Sequence, residues 1–281
     1  MSILKKIVWG AGIFFLCGTM YVWGQNGEAV LVVLHTNDTH SQIEPLNNKE
    51  GQSVGGVLRR KTVIDACRQQ YPDKLLLLDA GDFSQGTPYF NYFKGYAEVK
   101  FMNMLGYDAV TLGNHEFDNG CKALAKRLKK ADFEIVCANY EFHHKELQKL
   151  VKPYTILYRN NLKIGIFGLT INLEGLVNPD VEKEVTYKDP VVVAYEMTAL
   201  LKNREKCDMI ICLSHLGYNA KSEFPIYDSL LAQYVKDIDI IIGGHTHLEK
   251  NTEVNGVKIL QLVNKGGFIG KLFIYKKEEH D

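Results

Sequence analysis

From residue 29 onward, short apolar runs alternate with longer stretches whose apolar positions recur at helical spacing. The runs 29–34, 74–78, 108–112, 134–138, 163–169, 208–213 and 237–242 predict strands, and most are apolar at consecutive positions rather than at every second one. That is the pattern of a strand covered on both faces, because side chains pointing either way meet a core. Between them, 54–70, 98–105, 121–131, 190–203 and 225–234 have the length and spacing of helices. Strands and helices taking turns along the chain argue for an α/β sandwich. The stretches 257–262 and 270–276 are expected to close it as edge strands, ahead of a charged tail. No Pro/Gly/Ser linker, repeat or low-complexity segment divides the chain, so residues 25–281 are expected to form a single domain.

The first 24 residues break this pattern. Lys5 and Lys6 lead into an apolar run over 7–24, which reads as an export signal cut before Gln25. The run is longer than a usual signal core of about 7–15 residues and shorter than a spanning helix of about 20, so removal and retention as an anchor both stay open. Either way the destination is periplasmic or extracellular, with membrane contact only through a retained anchor. Composition adds exclusions: 46% hydrophobic and 23% charged residues in 281 fit a globular chain and rule out disordered, collagen-like and polytopic classes. Lys and Arg number 33 against 33 Asp and Glu, which leaves no electrostatic footprint for long nucleic acid. Beyond residue 24 the cysteines are Cys67, Cys121, Cys137, Cys207 and Cys212, too few for a disulfide scaffold. Cys137, Cys207 and Cys212 sit in or beside apolar runs and are expected to be buried small hydrophobes.

Ionisable and polar residues recur immediately after the strands: Asp38 and His40, Asp79 and Asp82, Asn114 and His115, then His215, then His245 and His247. Open α/β sheets bind ligands beyond the carboxyl ends of their strands, so these loops are expected to meet at one rim. Two carboxylates, one amide oxygen and four imidazoles suit divalent Zn, Mn or Fe. Seven ligands exceed the three or four that one Zn takes from a protein, and favour two ions roughly 3.5–4 Å apart.

The ordered set Asp38-Thr39-His40, Gly81-Asp82, Gly113-Asn114-His115-Glu116, Ser214-His215 and Gly244-His245-Thr246-His247 resembles the calcineurin-like metallophosphoesterases. More narrowly, Leu34-His35-Thr36-Asn37-Asp38-Thr39-His40, Gly81-Asp82-Phe83-Ser84-Gln85-Gly86-Thr87-Pro88 and Leu112-Gly113-Asn114-His115-Glu116-Phe117-Asp118 resemble the catalytic domain of the 5′-nucleotidase family, over residues 29–276. The resemblance implies a sandwich of two mixed β-sheets flanked by helices. It implies that Asp38, His40 and His247 hold one ion, that Asn114, His215 and His245 hold the other, and that Asp82 bridges them. A water or hydroxide between the ions is then the nucleophile. His115 is left to stabilise the transition state or protonate the leaving alkoxide, with Asp118 orienting it.

The implied substrates are nucleoside 5′-monophosphates or related small phosphate esters. A broader phosphodiesterase or nucleotide-sugar hydrolase is the alternative. Members of the family continue into a C-terminal domain that recognises the base, for which this sequence has no counterpart; a catalytic subunit served by a separate recognition-domain chain is therefore a third reading. The remaining residues receive no chemistry: His35, His143, His144 and His280 are read as structural or surface residues, and Gly55, Gly56 and Arg59 as a helix-start turn. Tyr89, Phe90, Tyr92 and Phe93 are read as core or interface, and 122–130 as the solvated face of a helix.

Overall fold

The computed structural model describes residues 7–13, 28–47, 50–219 and 225–276. Seven strands form the first sheet in the order Ile7–Ile13, Gly270–Lys276, Leu31–Thr36, Leu75–Asp79, Ala109–Thr111, Glu134–Val136, Val151–Lys152. Six form the second: Tyr154–Arg159, Leu162–Thr170, Met209–His215, Ile240–Gly243, Val257–Gln261, Lys250–Val254. Both are mixed, with a parallel run from Leu31–Thr36 to Val151–Lys152 in the first and from Leu162–Thr170 to Val257–Gln261 in the second. Antiparallel strands border each run.

The continuous apolar runs explain the layering. Leu31 and Val33 join Leu76, Leu78, Ile164, Ile166, Ile211, Leu213, Ile240 and Ile242 in one core between the sheets. Their neighbours Val32, Leu34 and Leu77 face the other way, into a core with Ile64, Met102, Leu105 and Leu124 of the helices Val57–Gln70, Tyr96–Leu105 and Gly120–Leu128. On the far side, Phe167, Leu169, Ile210, Cys212 and Ile241 pack with Val193 and Ala194 of Pro190–Ala199 and with Leu231 and Ala232 of Asp228–Tyr234. The result is four layers, helix, sheet, sheet, helix. Each apolar side chain fully buried in this way contributes about 1.5–3 kcal/mol relative to exposure. Local signals agree with the helix starts: Asp189 accepts from Val191 N at 2.8 Å and Val192 N at 3.1 Å, and Pro190 occupies the first turn, where its missing N–H is harmless.

Two expectations need correcting. Val257–Gln261 and Gly270–Lys276 are not sheet edges; each has a strand on both sides. The partners that displace them to the interior are Lys250–Val254 and Ile7–Ile13. Lys250–Val254 alternates half-buried and exposed positions with a polar sequence and carries little apolar signal. Ile7–Ile13 runs antiparallel to Gly270–Lys276 within the segment read as an export signal, while the expected cut before Gln25 lies outside the described residues, as does the charged tail with His280. Among the described residues no helix is long and apolar enough to cross a membrane. Cys67, Cys121, Cys137, Cys207 and Cys212 are free thiols; Cys137 and Cys212 are buried and Cys207 is partly so.

Candidate metal centre

Loops from the carboxyl ends of five parallel strands, three in the first sheet and two in the second, meet at one rim. Asp38, His40 and His247 each turn a ligand atom into one cluster, and Asp82, His215 and His245 into another, with the three atoms of each cluster within 4.8 Å of one another. In the first, His40 Nε2 and His247 Nε2 approach to 3.1 Å, and they stand 3.9 and 3.2 Å from Asp38 Oδ1. In the second, His215 Nε2 lies 3.0 Å from Asp82 Oδ2, and the Asn114 amide oxygen meets His245 Nδ1 at 3.2 Å. Only 4.0 Å separates His215 Nε2 from Asp38 Oδ1, so the two clusters are contiguous. Asp79, the remaining polar residue after a strand, turns inward to Thr36 Oγ1 and Gly81 N and joins neither.

The donor set fits divalent ions. Imidazole nitrogens and carboxylate oxygens converging on one point form a mixed nitrogen and oxygen donor set of the kind that suits Zn, Mn or Fe. His215 Nε2 is buried and, despite its distance to Asp82, lacks a partner in hydrogen-bond geometry. Its other nitrogen donates to Ala80 O at 2.7 Å and His40 Nδ1 donates to Ser84 O at 3.3 Å, arrangements that leave both Nε2 atoms free to ligate. Electrostatics point the same way. Burial depresses the His40 imidazole below its usual value, and burial with the neighbouring His215 takes His245 down to about 4, so both are neutral at neutral pH and able to ligate. Burial acts against the charged form of His215 too, but Asp82 and Asp38 outweigh it and push its pKa up to about 10. Burial also opposes ionised Asp82, and His215, His115 and His40 together override it and hold that carboxyl below its ordinary range.

The backbone that presents these groups is unusual. Asp38, His40, Asp82, His245 and His247 all have left-handed φ, at 48°, 46°, 53°, 70° and 54°. Non-glycine residues hold such conformations at a cost of about 1–3 kcal/mol, and only where their surroundings dictate it. Here the surroundings are hydrogen bonds. Asp38 takes His245 N at 3.0 Å and Asn37 Nδ2 at 2.6 Å, and Asn37 is in turn tied to Leu262 N and O. Buried Glu116 accepts from three separate backbone N–H groups: Asp82 at 2.9 Å, Ser84 at 3.0 Å and Gly113 at 2.6 Å. Gly113 must lack a side chain, since a methyl there would overlap Asp82 Oδ1.

His115 opens a short 3₁₀ turn, His115–Phe117, beside the first cluster, its ring centroid 5.4 Å from that of His40. Its Nδ1 lies 3.0 Å from Asp118 Oδ2, with Nε2 left over. Burial works against protonation, but the Asp118 hydrogen bond and the Asp82 charge prevail and push the pKa up to about 9.

The structure also supplies supports that the sequence left unassigned. Asn37 and Glu116 lie inside the matched motifs, but their partners come from other loops. Arg127 reverses an expectation: it belongs to the stretch read as solvated, yet it is fully buried. Its guanidinium donates to Glu116 O and lies 6.0 Å from the Phe90 ring centroid, passing Gly95, where any side chain would collide with it. Phe90 is buried beneath it, whereas Tyr92 and Phe93 are exposed.

The sequence model of the family described as calcineurin-like phosphoesterase matches residues 31–249. A 5′-nucleotidase from Diplobatis ommata is 39% identical over 228 residues, 77% of this chain and 37% of that protein. Among solved structures, a 5′-nucleotidase precursor from Thermus thermophilus aligns with a TM-score of 0.76 at 33% identity, over 86% of this chain and 50% of that one. The Haemophilus influenzae NAD nucleotidase aligns with a TM-score of 0.73 at 28% identity, over 88% and 49%. The chain thus spans about half the length of these proteins, or less.

Proposed function

Because the chain belongs to the calcineurin-like phosphoesterase family, we propose that it hydrolyses nucleoside 5′-monophosphates or related small phosphate esters with two divalent metal ions. The observation that carries this reading is the pair of contiguous N/O clusters, with a histidine–carboxylate pair standing beside them. Asp38, His40 and His247 would hold one ion and Asn114, His215 and His245 the other, and Asp82, which belongs to the second cluster and whose charge acts on both His40 and His215, would serve both. When bound, the ions supply an activated water and neutralise the phosphoryl oxygens during in-line displacement. The chain's own contribution is orientation and a proton. Asp118 fixes the His115 ring by its Nδ1 contact, so the opposite Nε2–H is the proton available to a leaving alkoxide.

Base recognition is assigned to the remaining length of the relatives, whether as a further region or as a separate chain. The likeness to the Haemophilus NAD nucleotidase favours dinucleotides as a second substrate class. The apolar run after Lys5 and Lys6 supports export to the periplasm or cell exterior. The test is turnover by the purified protein, with Mn or Zn, of AMP, NAD, a cyclic nucleotide, a nucleotide sugar and an aryl phosphate, with His115→Ala as control. Selective AMP hydrolysis supports the reading. No turnover of any ester by a metal-loaded protein that includes its recognition region refutes it.

A further inference from the structure

Behind the loop that carries Asp38 and His40 lies a cavity of about 20 Å³. Thr39, Ser41 and Gln42 wall it from the loop, Arg60 from the helix Val57–Gln70, and Glu98 from the helix Tyr96–Leu105. The polar part of this wall is unsatisfied. Both carboxylate oxygens of Glu98, Ser41 Oγ and Arg60 Nε are buried without a hydrogen-bond partner among the described residues. Glu98 is 5% exposed and Ser41 2%. A carboxylate withdrawn from water to this degree is tolerated only when something in the interior meets its oxygens.

The side chains do not reach one another. Arg60 Nη2 is committed to Gln42 O at 2.8 Å, and the guanidinium packs on Gly266, where a Cβ would come within 2.8 Å of Nη1. Ser41 has a left-handed φ of 53° and its N–H is bound to Phe83 O at 2.9 Å, which fixes where its hydroxyl can be. Two other polar groups on the wall are already paired, Tyr107 OH with Thr36 Oγ1 at 2.6 Å and Gln42 Nε2 with Glu44 O at 2.7 Å. What remains is one unused donor on Arg60 and unused acceptors on Glu98, with a hydroxyl able to play either part.

We propose that this chamber is a built site for one water molecule, which accepts from Arg60 Nε–H, donates to Glu98 and closes onto Ser41, and so ties the Asp38–Ser41 loop to two helices from behind. The volume and the wall chemistry select this ligand. One water needs about 10–15 Å³, so the cavity is matched to a single water. A cation would face the Arg60 guanidinium and an anion would face Glu98, whereas a neutral donor and acceptor satisfies both. The tie matters because Asp38, His40 and Ser41 all sit in left-handed conformations within four residues, and such a segment keeps its shape only through external bonds. Arg127, whose stem runs along Gly95 at the start of Tyr96–Leu105, adds a second guanidinium whose charge acts with Glu98.

The consequence for ion binding rests on the ligand assignment proposed above; the water does not. The test is a high-resolution crystal structure of the full chain together with Mn²⁺ titration calorimetry on wild type, Ser41→Ala and Glu98→Met. We expect one ordered water within hydrogen-bond distance of Glu98 and Arg60 Nε. Ser41→Ala, which removes a single partner of that water, should weaken Mn²⁺ binding about fivefold, the worth of one lost hydrogen bond. Glu98→Met should dry the chamber and weaken binding further; if it fails to fold, Ser41→Ala decides. A dry chamber in the wild type, or a direct Arg60–Glu98 contact closing it, overturns the water site. Wild-type affinity in Ser41→Ala overturns the tie. Absence of Mn²⁺ binding by the wild type itself would instead refute the ligand assignment, and the density in the chamber would still decide the water.

Discussion

Glu116 is the residue whose replacement tests most directly how the site is held. Its carboxylate is completely buried and receives the N–H groups of Asp82 and Gly113 on one oxygen and that of Ser84 on the other. Glu116→Gln has the same shape but can accept on only one side. With its amide oxygen placed toward Asp82 and Gly113, its NH₂ faces Ser84 N, donor against donor. A buried N–H left unpaired costs about 1–3 kcal/mol, and exchanging two charge-assisted bonds for neutral ones costs about 1 kcal/mol each. Against this, burial and the nearby Asp82 raise the Glu116 pKa, so removing the charge relieves some strain. With that relief offsetting part of the loss, a net destabilisation of about 2 kcal/mol is expected, or about 4 °C in melting temperature for a chain of this size. Thermal unfolding in chelator reads this loss free of any change in ion binding. A Mn²⁺ titration then reads the displacement of Asp82. A variant that melts within about 1 °C of wild type and binds Mn²⁺ equally well would refute the claim that Glu116 sets the Asp82 loop.

Other outcomes follow from the same geometry. His245→Ala should lower bound metal and activity together, measured by elemental analysis and AMP turnover, and unchanged metal content would contradict its place among the ligands. His115→Ala should retain both ions while kcat falls roughly 10²- to 10⁴-fold, the range for loss of a positioned general acid. Gly113→Ala places a methyl on Asp82 Oδ1 and should abolish metal binding; a variant that still takes up both ions disproves the tight approach. Ions at about 100 times their Kd should each add about 2.7 kcal/mol, so EDTA should lower the melting temperature measurably, and an identical melt with and without chelator would count against both clusters.

The strands beneath the site were legible because they are buried on both faces, so that Leu31–Thr36, Leu75–Asp79 and Met209–His215 read as nearly unbroken apolar runs. The residues of the two clusters were legible because each follows such a run. What escaped was what depends on neighbours distant in the chain. Tyr154–Arg159 and Lys250–Val254 are edge strands whose mixed exposure dilutes any apolar pattern, and missing the second made Val257–Gln261 look like an edge. Glu116 stands in plain view beside His115, but its partners Asp82 and Ser84 lie more than thirty residues away. Arg127 was misread because five of the nine residues from 122 to 130 are Lys or Arg, and nothing local tells the buried one from the solvated ones. Its burial is set by Gly95 and Phe90, which belong to another part of the chain.

The left-handed backbone at Asp38, His40, Asp82, His245 and His247 bears on how this fold changes over generations. Glycine alone is free of penalty at those five positions; asparagine, aspartate and histidine tolerate them better than other side chains but still at a cost. Selection for catalysis therefore opposes selection for a stable chain at each of them, and a gene copy released from catalysis gains robustness as it drifts. Its earliest substitutions should gather at these positions and run toward glycine and asparagine rather than alanine. Descendants that have become non-enzymatic binding or scaffolding proteins should then be recognisable by small, turn-forming residues where the ligands once stood, and should outlast their active cousins on heating.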